Sequence, residues 1–365
     1  MNKKYTYVLA TCAFLSVSWV INTMEIGSAS TADKEMAVKV MTFNICHPAE
    51  VQRNPELAKR FSWSERKKGI FSQILHENPD ILGLQEVRNE EGGSSVADIW
   101  DGLGRHGYNI VSFPNNASPL SFINTIAYKG DKLVLDSTNR WWTSETPDCF
   151  SDTWGNGWGR LSLMITLFPI IKKQVGKQVI PYPNYAQGGI RVVNIHNGLK
   201  HDERMHANEI LVEQIKKLAT SGVVIVTGDF NCFPDDGGAE ELEILKKAGY
   251  QEALTDLKTT TGVPVSGTYL GYSYDKFRSP TGKLGTQLDH IFFRAIDPRK
   301  KISITRSHVS LAKRDGTAAL GTTEAELLAD PDGKECRDEF SSDHAAGIAE
   351  LVISNAETTS KPIDS

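Results

Sequence analysis

No apolar run in this sequence reaches the ~20 residues that a membrane-spanning helix needs. Residues 7–21 come nearest, but Thr11, Ser16 and Ser18 interrupt them. Lys3 and Lys4 precede that run, and the small residues Gly27, Ser28, Ala29 and Ser30 follow it. A short positive region, a short apolar stretch and a small-residue site, in that order, form the pattern of a cleaved export signal. Residues 1–29 are therefore expected to be a signal peptide, residues 30–355 one catalytic domain and residues 356–365 a polar tail, with the mature protein secreted to a periplasmic or extracellular space. A basic excess is absent too, because 40 Lys and Arg stand against 45 Asp and Glu for a formal charge of −5. The electrostatic footprint of a tight binder of long nucleic acid is missing. Cysteine is scarce: four of the five, Cys46, Cys149, Cys232 and Cys336, follow the signal, and their spacing fits no zinc site. In an oxidising compartment they could pair in any of three ways, among which the sequence does not choose. No repeat, low-complexity tract or Pro/Ser-rich linker divides the chain, so one large layered unit is expected.

What is present is a series of apolar, β-branched runs separated by helical patterns, which predicts an α/β protein built on sheets. Strands are expected over 38–45, 80–84, 108–113, 123–128, 161–167, 190–195, 223–227, 287–294 and 347–353. A capping box at Ser62-Trp63-Ser64-Glu65 predicts a helix start, with Ile70, Ile74 and Leu75 on one face. Leu211, Ile215 and Leu218 mark a second helix beginning near Asp202. Strands outnumber helices and several connections are hairpin-short, so mixed or antiparallel sheets are expected rather than a doubly wound parallel one.

Acids, amides and histidines recur at the C-terminal ends of these strands: Asn44, Glu86, His196, Asp229 with Asn231, Asp289, and Asp343 with His344. Each has a bland alternative as a turn residue, a helix cap or a satisfied core histidine. Asp229 and Asp289 resist it, because each charge abuts an apolar run, and burying an unpartnered carboxylate costs several kcal/mol. The set offers the carboxylates Glu86, Asp229, Asp289 and Asp343 and the amides Asn44 and Asn231, an oxygen-rich group suited to Mg²⁺ or Mn²⁺. His196 and His344 suit proton transfer and phosphate contact near neutral pH. Together these are the parts of metal-assisted phosphoester hydrolysis.

The ordered motifs Thr-Phe-Asn, Gly-Leu-Gln-Glu-Val, Asn-Ile-His, Thr-Gly-Asp-Phe-Asn, Leu-Asp-His-Ile and Ser-Asp-His, from about Val38 to Leu351, resemble those of the endonuclease/exonuclease/phosphatase superfamily. That resemblance implies a four-layered α/β sandwich, two mainly antiparallel or mixed sheets packed face to face with helices outside. It also implies roles. Glu86 would bind the metal with Asn44 and Asp343. His344, oriented by Asp289, would activate water. Asp229 would assist the leaving oxygen, and Asn231, His196 and Arg160 would hold the phosphoryl group. The segment Trp141 to Asp148 resembles a Phe-Trp-Leu-Ser-Glu-Thr-Pro stretch of bacterial secreted members, whose plain alternative is a loop pinned by aromatics. Family members often carry Thr-His-Leu-Asp-His where this chain has Asn194-Ile195-His196-Asn197-Gly198, so a second histidine or acid is lost or displaced to His201. Residues 168–189 and 310–340 match no motif, and solvated hairpins are expected there. The expected activity is that of a phosphodiesterase or nuclease acting on a phosphate ester, nucleic acid among the candidates. A sphingomyelinase-type or inositol-phosphate-type esterase is the alternative. A non-catalytic binding module is disfavoured because every core position is filled, and no protein partner is inferred.

Overall fold

A computed structural model describes residues 35–46, 62–88, 95–113, 123–151, 153, 159–175, 178–233, 238–258, 262, 265, 267–269, 286–313, 315–316 and 341–356. The chain separates into Met1–Lys34 and Glu35–Ser365, and all that follows concerns the second. The expected signal segment lies outside the described residues.

The elements run β1 (Met36–Asn44), α1 (Trp63–Glu77), β2 (Ile81–Val87), α2 (Ser95–Gly104), β3 (Tyr108–Ser112), β4 (Ile123–Lys129), β5 (Leu133–Trp142), β6 (Leu161–Val175) and β7 (Gln178–Pro183). They continue with β8 (Ile190–His196), α3 (His201–Leu218), β9 (Val223–Asp229), α4 (Gly238–Lys247), β10 (Gln251–Glu252), β11 (Asp289–Ala295), β12 (Lys300–Ser310) and β13 (Ala346–Asn355). Six strands form one sheet in the order β12-β13-β1-β2-β4-β3, and seven form the other as β10-β11-β9-β8-β6-β5 with β7 paired to β6. Each sheet is antiparallel apart from a central parallel pair, β1 with β2 and β8 with β9. All nine expected strands are present, and the mixed-sheet sandwich is the architecture found.

Alternation along the strands explains the layering, since successive side chains point to opposite faces. Val38 and Val40 of β1 join Ile225 and Ile291 of the other sheet in the central core. Met41 and Phe43 of the same strand pack instead with Ile70 and Ile74 of α1. On the far side, Val193 and Val226 pack with Leu211 and Ile215 of α3. Burial of each such side chain contributes about 1.5–3 kcal/mol. The inner faces approach closely at Gly83, where a Cβ would lie 2.2 Å from Thr227 Oγ1 and 2.8 Å from Asn194 Oδ1. Only glycine fits that contact.

One local expectation is corrected. Ser62 does occupy the N-cap position, but its hydroxyl meets Ser64 Oγ at 2.9 Å and caps no backbone N–H, so the capping box does not form. Residues 300–310 and 95–104, unassigned from sequence, are β12 and α2. The stretch 168–189 is largely a hairpin, β6 with β7, as expected; it exposes Val179, Ile180 and Tyr182. Beyond residue 316, the 310–340 stretch lies outside the described residues. Cys46 and Cys232 are buried and Cys149 is exposed, with no disulfide linking any of the three to another; Cys336 is outside the described residues. No helix among the described residues is long and apolar enough to cross a membrane.

Candidate active site

The two parallel pairs end side by side, and the C-terminal ends of β1, β2, β8 and β9 bring Asn44, Glu86, His196 and Asp229 together. Asp289 opens β11, and Asp343 and His344 precede β13, so these three enter from the N-terminal ends of antiparallel strands and not from the C-terminal ends expected. Asn44, last in β1, donates from Nδ2 to Asp229 Oδ2 at 2.9 Å and to Glu86 Oε1 at 3.1 Å, joining the two sheets through one amide. His196 lies opposite Asp229 in the β8–β9 register. Its Nε2 is 3.5 Å from Asp229 Oδ2 and 3.8 Å from Glu86 Oε1. Asp289 of β11 pairs across the strands with Asp229. Like charges so placed repel, and His344 sits between them: Nδ1 is 2.8 Å from Asp289 Oδ2 and Nε2 3.9 Å from Asp229 Oδ2. Asp343 Oδ1 is 4.0 Å from His344 Nε2.

Backbone geometry at the strand ends is under local constraint. Cys46, Glu86 and Asn231 all adopt left-handed φ, at 58°, 62° and 51°, which costs a non-glycine residue about 1–3 kcal/mol. Hydrogen bonds hold two of these kinks. Cys46 N donates to Asn44 Oδ1 at 2.9 Å and Asn231 N to Asp229 Oδ1 at 2.9 Å. Glu86 lies within the register irregularity between Leu84 and Val87, where β2 leaves its pairing with β4.

The charges perturb one another strongly. Burial raises the pKa of Asp229, and the charge of Asp289 raises it further, against His344, Asn44 and the Asn231 amide. Burial opposes protonation of His344, but Asp289, Asp343 and Asp229 outweigh it and hold its pKa above the usual imidazole value. His196 is driven the other way, its pKa lowered by burial and by the cations Arg160 and His344. Burial lowers the Arg160 pKa, while Glu86, Asp229 and Glu203 favour its cation. Asp289 is fully buried and its Oδ1 accepts no hydrogen bond.

This crowding fits a divalent cation. Two overlapping groups have ligand atoms within 4.8 Å of one another, Glu86–His196–Asp229 and Asp229–Asp289–His344. Their oxygen-rich donors, with Asn44 alongside, suit a hard ion. Every strand-end residue singled out from sequence converges here, although Asp343 enters through its approach to His344 and belongs to neither group. His201 does not: its Nδ1 meets Glu241 Oε1 at 2.7 Å, and Glu241 also holds Arg204. Trp141 is buried and Trp142 packs edge-on against Phe150, the aromatic pin expected of that loop.

Sequence reasoning missed the supporting residues. Asn194 Oδ1 accepts from Gln85 Nε2 at 2.6 Å, and its Nδ2 donates to Leu84 O at 2.8 Å and Thr125 O at 3.0 Å, bridging the sheets beneath the cluster. Asn197 O accepts from Asn231 Nδ2 at 3.0 Å. The Tyr269 ring lies 4.8 Å from that of His344. Asn194 and Gln85 stand inside the motifs already quoted, but polar residues within strand runs carry no signal of their own.

Residues 41–344 match the model of the Endonuclease/Exonuclease/phosphatase family, and the chain belongs to that family. It is 27% identical over 238 residues, 65% of this chain and 81% of its counterpart, to the uncharacterized protein L388 of Acanthamoeba polyphaga mimivirus. Among solved structures, the mannosyl-6-phosphatase of Bacteroides thetaiotaomicron VPI-5482 superposes with a TM-score of 0.61 at 18% identity, covering 86% of this chain and 99% of that one. The 2′,3′-cyclic phosphatase ANGEL2, in complex with adenosine-2′,3′-vanadate, gives 0.56 at 18% identity, with 87% and 96% covered. At such identities the shared property is the fold.

Proposed function

We propose that this protein is a Mg²⁺- or Mn²⁺-dependent hydrolase of phosphate esters, acting as a phosphodiesterase of the nuclease type. The observation that carries the reading is the Asp289–His344 pair, whose 2.8 Å contact lies beside the Asn44–Glu86–Asp229 cluster. An ionised carboxylate only accepts, so Asp289 fixes the proton on His344 Nδ1 and leaves Nε2 to take a proton from water. Glu86, with Asn44 and Asp343, would hold the cation. When bound, the cation supplies charge neutralisation at the phosphoryl oxygens. Asp229 would assist the leaving oxygen. Arg160, Asn231 and His196 would stabilise the negative charge of the transition state.

The family spans several esters, and loops rather than the core select among them. The diester reading rests on the motif resemblance between Val38 and Leu351. The deciding experiment is a panel assay of purified protein with Mg²⁺ against DNA, RNA, sphingomyelin, inositol phosphates and bis(p-nitrophenyl) phosphate. Turnover of DNA, RNA or the synthetic diester supports the reading. Turnover confined to sphingomyelin or inositol phosphates would replace it with the lipid or inositol alternative.

A further inference from the structure

The candidate site has two halves on different loops, Asn44 with Glu86 on one side and Asp343 with His344 on the other. One side chain from the helical layer reaches both. Arg66, in the first turn of α1, is 1% exposed. Its Nη1 donates to Ile45 O at 2.7 Å and to Ser341 O at 2.8 Å, and its Nη2 donates to Cys46 O at 2.8 Å. Ile45 and Cys46 directly follow Asn44, and Ser341 precedes Asp343 and His344 by two and three residues. A rigid, forked guanidinium can hold three carbonyls at once, whereas a lysine ammonium is a single point on a flexible stem.

Two further observations make this more than packing. Cys46 is in the left-handed region at φ 58°, and such a conformation persists only where the surroundings over-determine it. Asn44 Oδ1 holds its N–H and Arg66 holds its carbonyl. The loops are also stitched directly, since Ser342 Oγ donates to Asn44 O at 2.7 Å and accepts from His344 N at 3.1 Å. The helix is pressed onto the same place: a Cβ at Gly69, one turn along, would meet Ser341 Cβ at 2.7 Å.

We propose that Arg66 is a positioning residue, setting the separation of the Asn44–Glu86 half from the His344 half without touching substrate. The assignment rests on the reading of His344 as the base. Misplacement of a reacting group by an ångström costs up to about 100-fold in rate, so the loss falls on kcat rather than on KM.

Arg66→Lys and Arg66→Met keep the length and packing of the stem but cannot fork. Both should unfold cooperatively, with kcat per folded molecule on bis(p-nitrophenyl) phosphate reduced about 10–100-fold and KM within about threefold of the parent. In Arg66→Ala, millimolar methylguanidinium should restore part of kcat while leaving the parent unaffected. A merely structural role predicts a lower melting temperature with full kcat per folded molecule in the Lys and Met variants, and that result would overturn the proposal. Mn²⁺ affinity, read by electron paramagnetic resonance, is the arm that needs no turnover. If the parent hydrolyses no ester in the panel, the phosphoesterase reading fails, and Mn²⁺ then decides on Arg66 alone. Weaker binding in Arg66→Lys would support the positioning role, and parental affinity would refute it.

Discussion

At the scale of single residues, the chemistry turns on whether Asp289 and His344 act as one unit. If they do, His344→Ala and Asp289→Asn should each lower kcat about 10²–10⁴-fold with little change in KM, and the double variant should be scarcely worse than the worse single. Steady-state kinetics beside thermal unfolding tests this, and independent effects that multiply would show two separate roles. Glu86→Gln removes a charge with almost no change of volume, so Mn²⁺ affinity should fall while the melting temperature holds. A calorimetric titration matching the parent would remove Glu86 from the ligand set. These residues were legible in the sequence because a carboxylate set against an apolar strand is costly without a partner. Their supports were not. Asn194 and Arg66 act through backbone carbonyls of segments distant in sequence, and nothing in residue type foretells which carbonyl will be near.

Elements show the same division. The central strands were readable because both their faces are buried, as in Val223–Asp229, where every residue is buried. β12 was not, because it is an edge strand whose first eight residues run intermediate to exposed, so it lacks the apolar run that marks its neighbours. Close approach is equally invisible in one dimension. Gly83→Ala should cost about 1–3 kcal/mol as an overpacking substitution, because Thr227 Oγ1 lies where the new methyl would go. Urea unfolding gives the cost, and no change in midpoint would mean the sheets sit further apart than described. Helix α1 carries a pH-dependent contribution in Glu77. Burial would raise its pKa, but hydrogen bonds and charges of His308 and Lys39 overcome this and lower it to about 2. The unfolded value of 4.5 is higher, so the contribution is present above pH 4.5 and is lost as pH falls through about 2. It amounts to at most about 3 kcal/mol. Unfolding free energies between pH 7 and pH 3 should fall less steeply for Glu77→Gln than for the parent. Parallel curves would show that Glu77 titrates alike in both states.

For the whole molecule, the proposed export signal predicts that protein recovered from a periplasmic or culture fraction lacks the first ~25–30 residues. Intact mass decides this, and Met1 on the exported form would mean an uncleaved anchor. The family and the sandwich were readable from six short motifs because those motifs are the ends of the strands that build the site. The substrate was not, because the loops that shape its pocket answer to no periodicity. The central claim, that the crowded carboxylates are a cation site serving phosphoester hydrolysis, is tested most directly by the metal dependence of turnover. Purified protein, stripped with EDTA and dialysed, should hydrolyse no diester, and graded Mg²⁺ or Mn²⁺ should restore activity along a saturable curve. Undiminished turnover after exhaustive chelation would contradict the account.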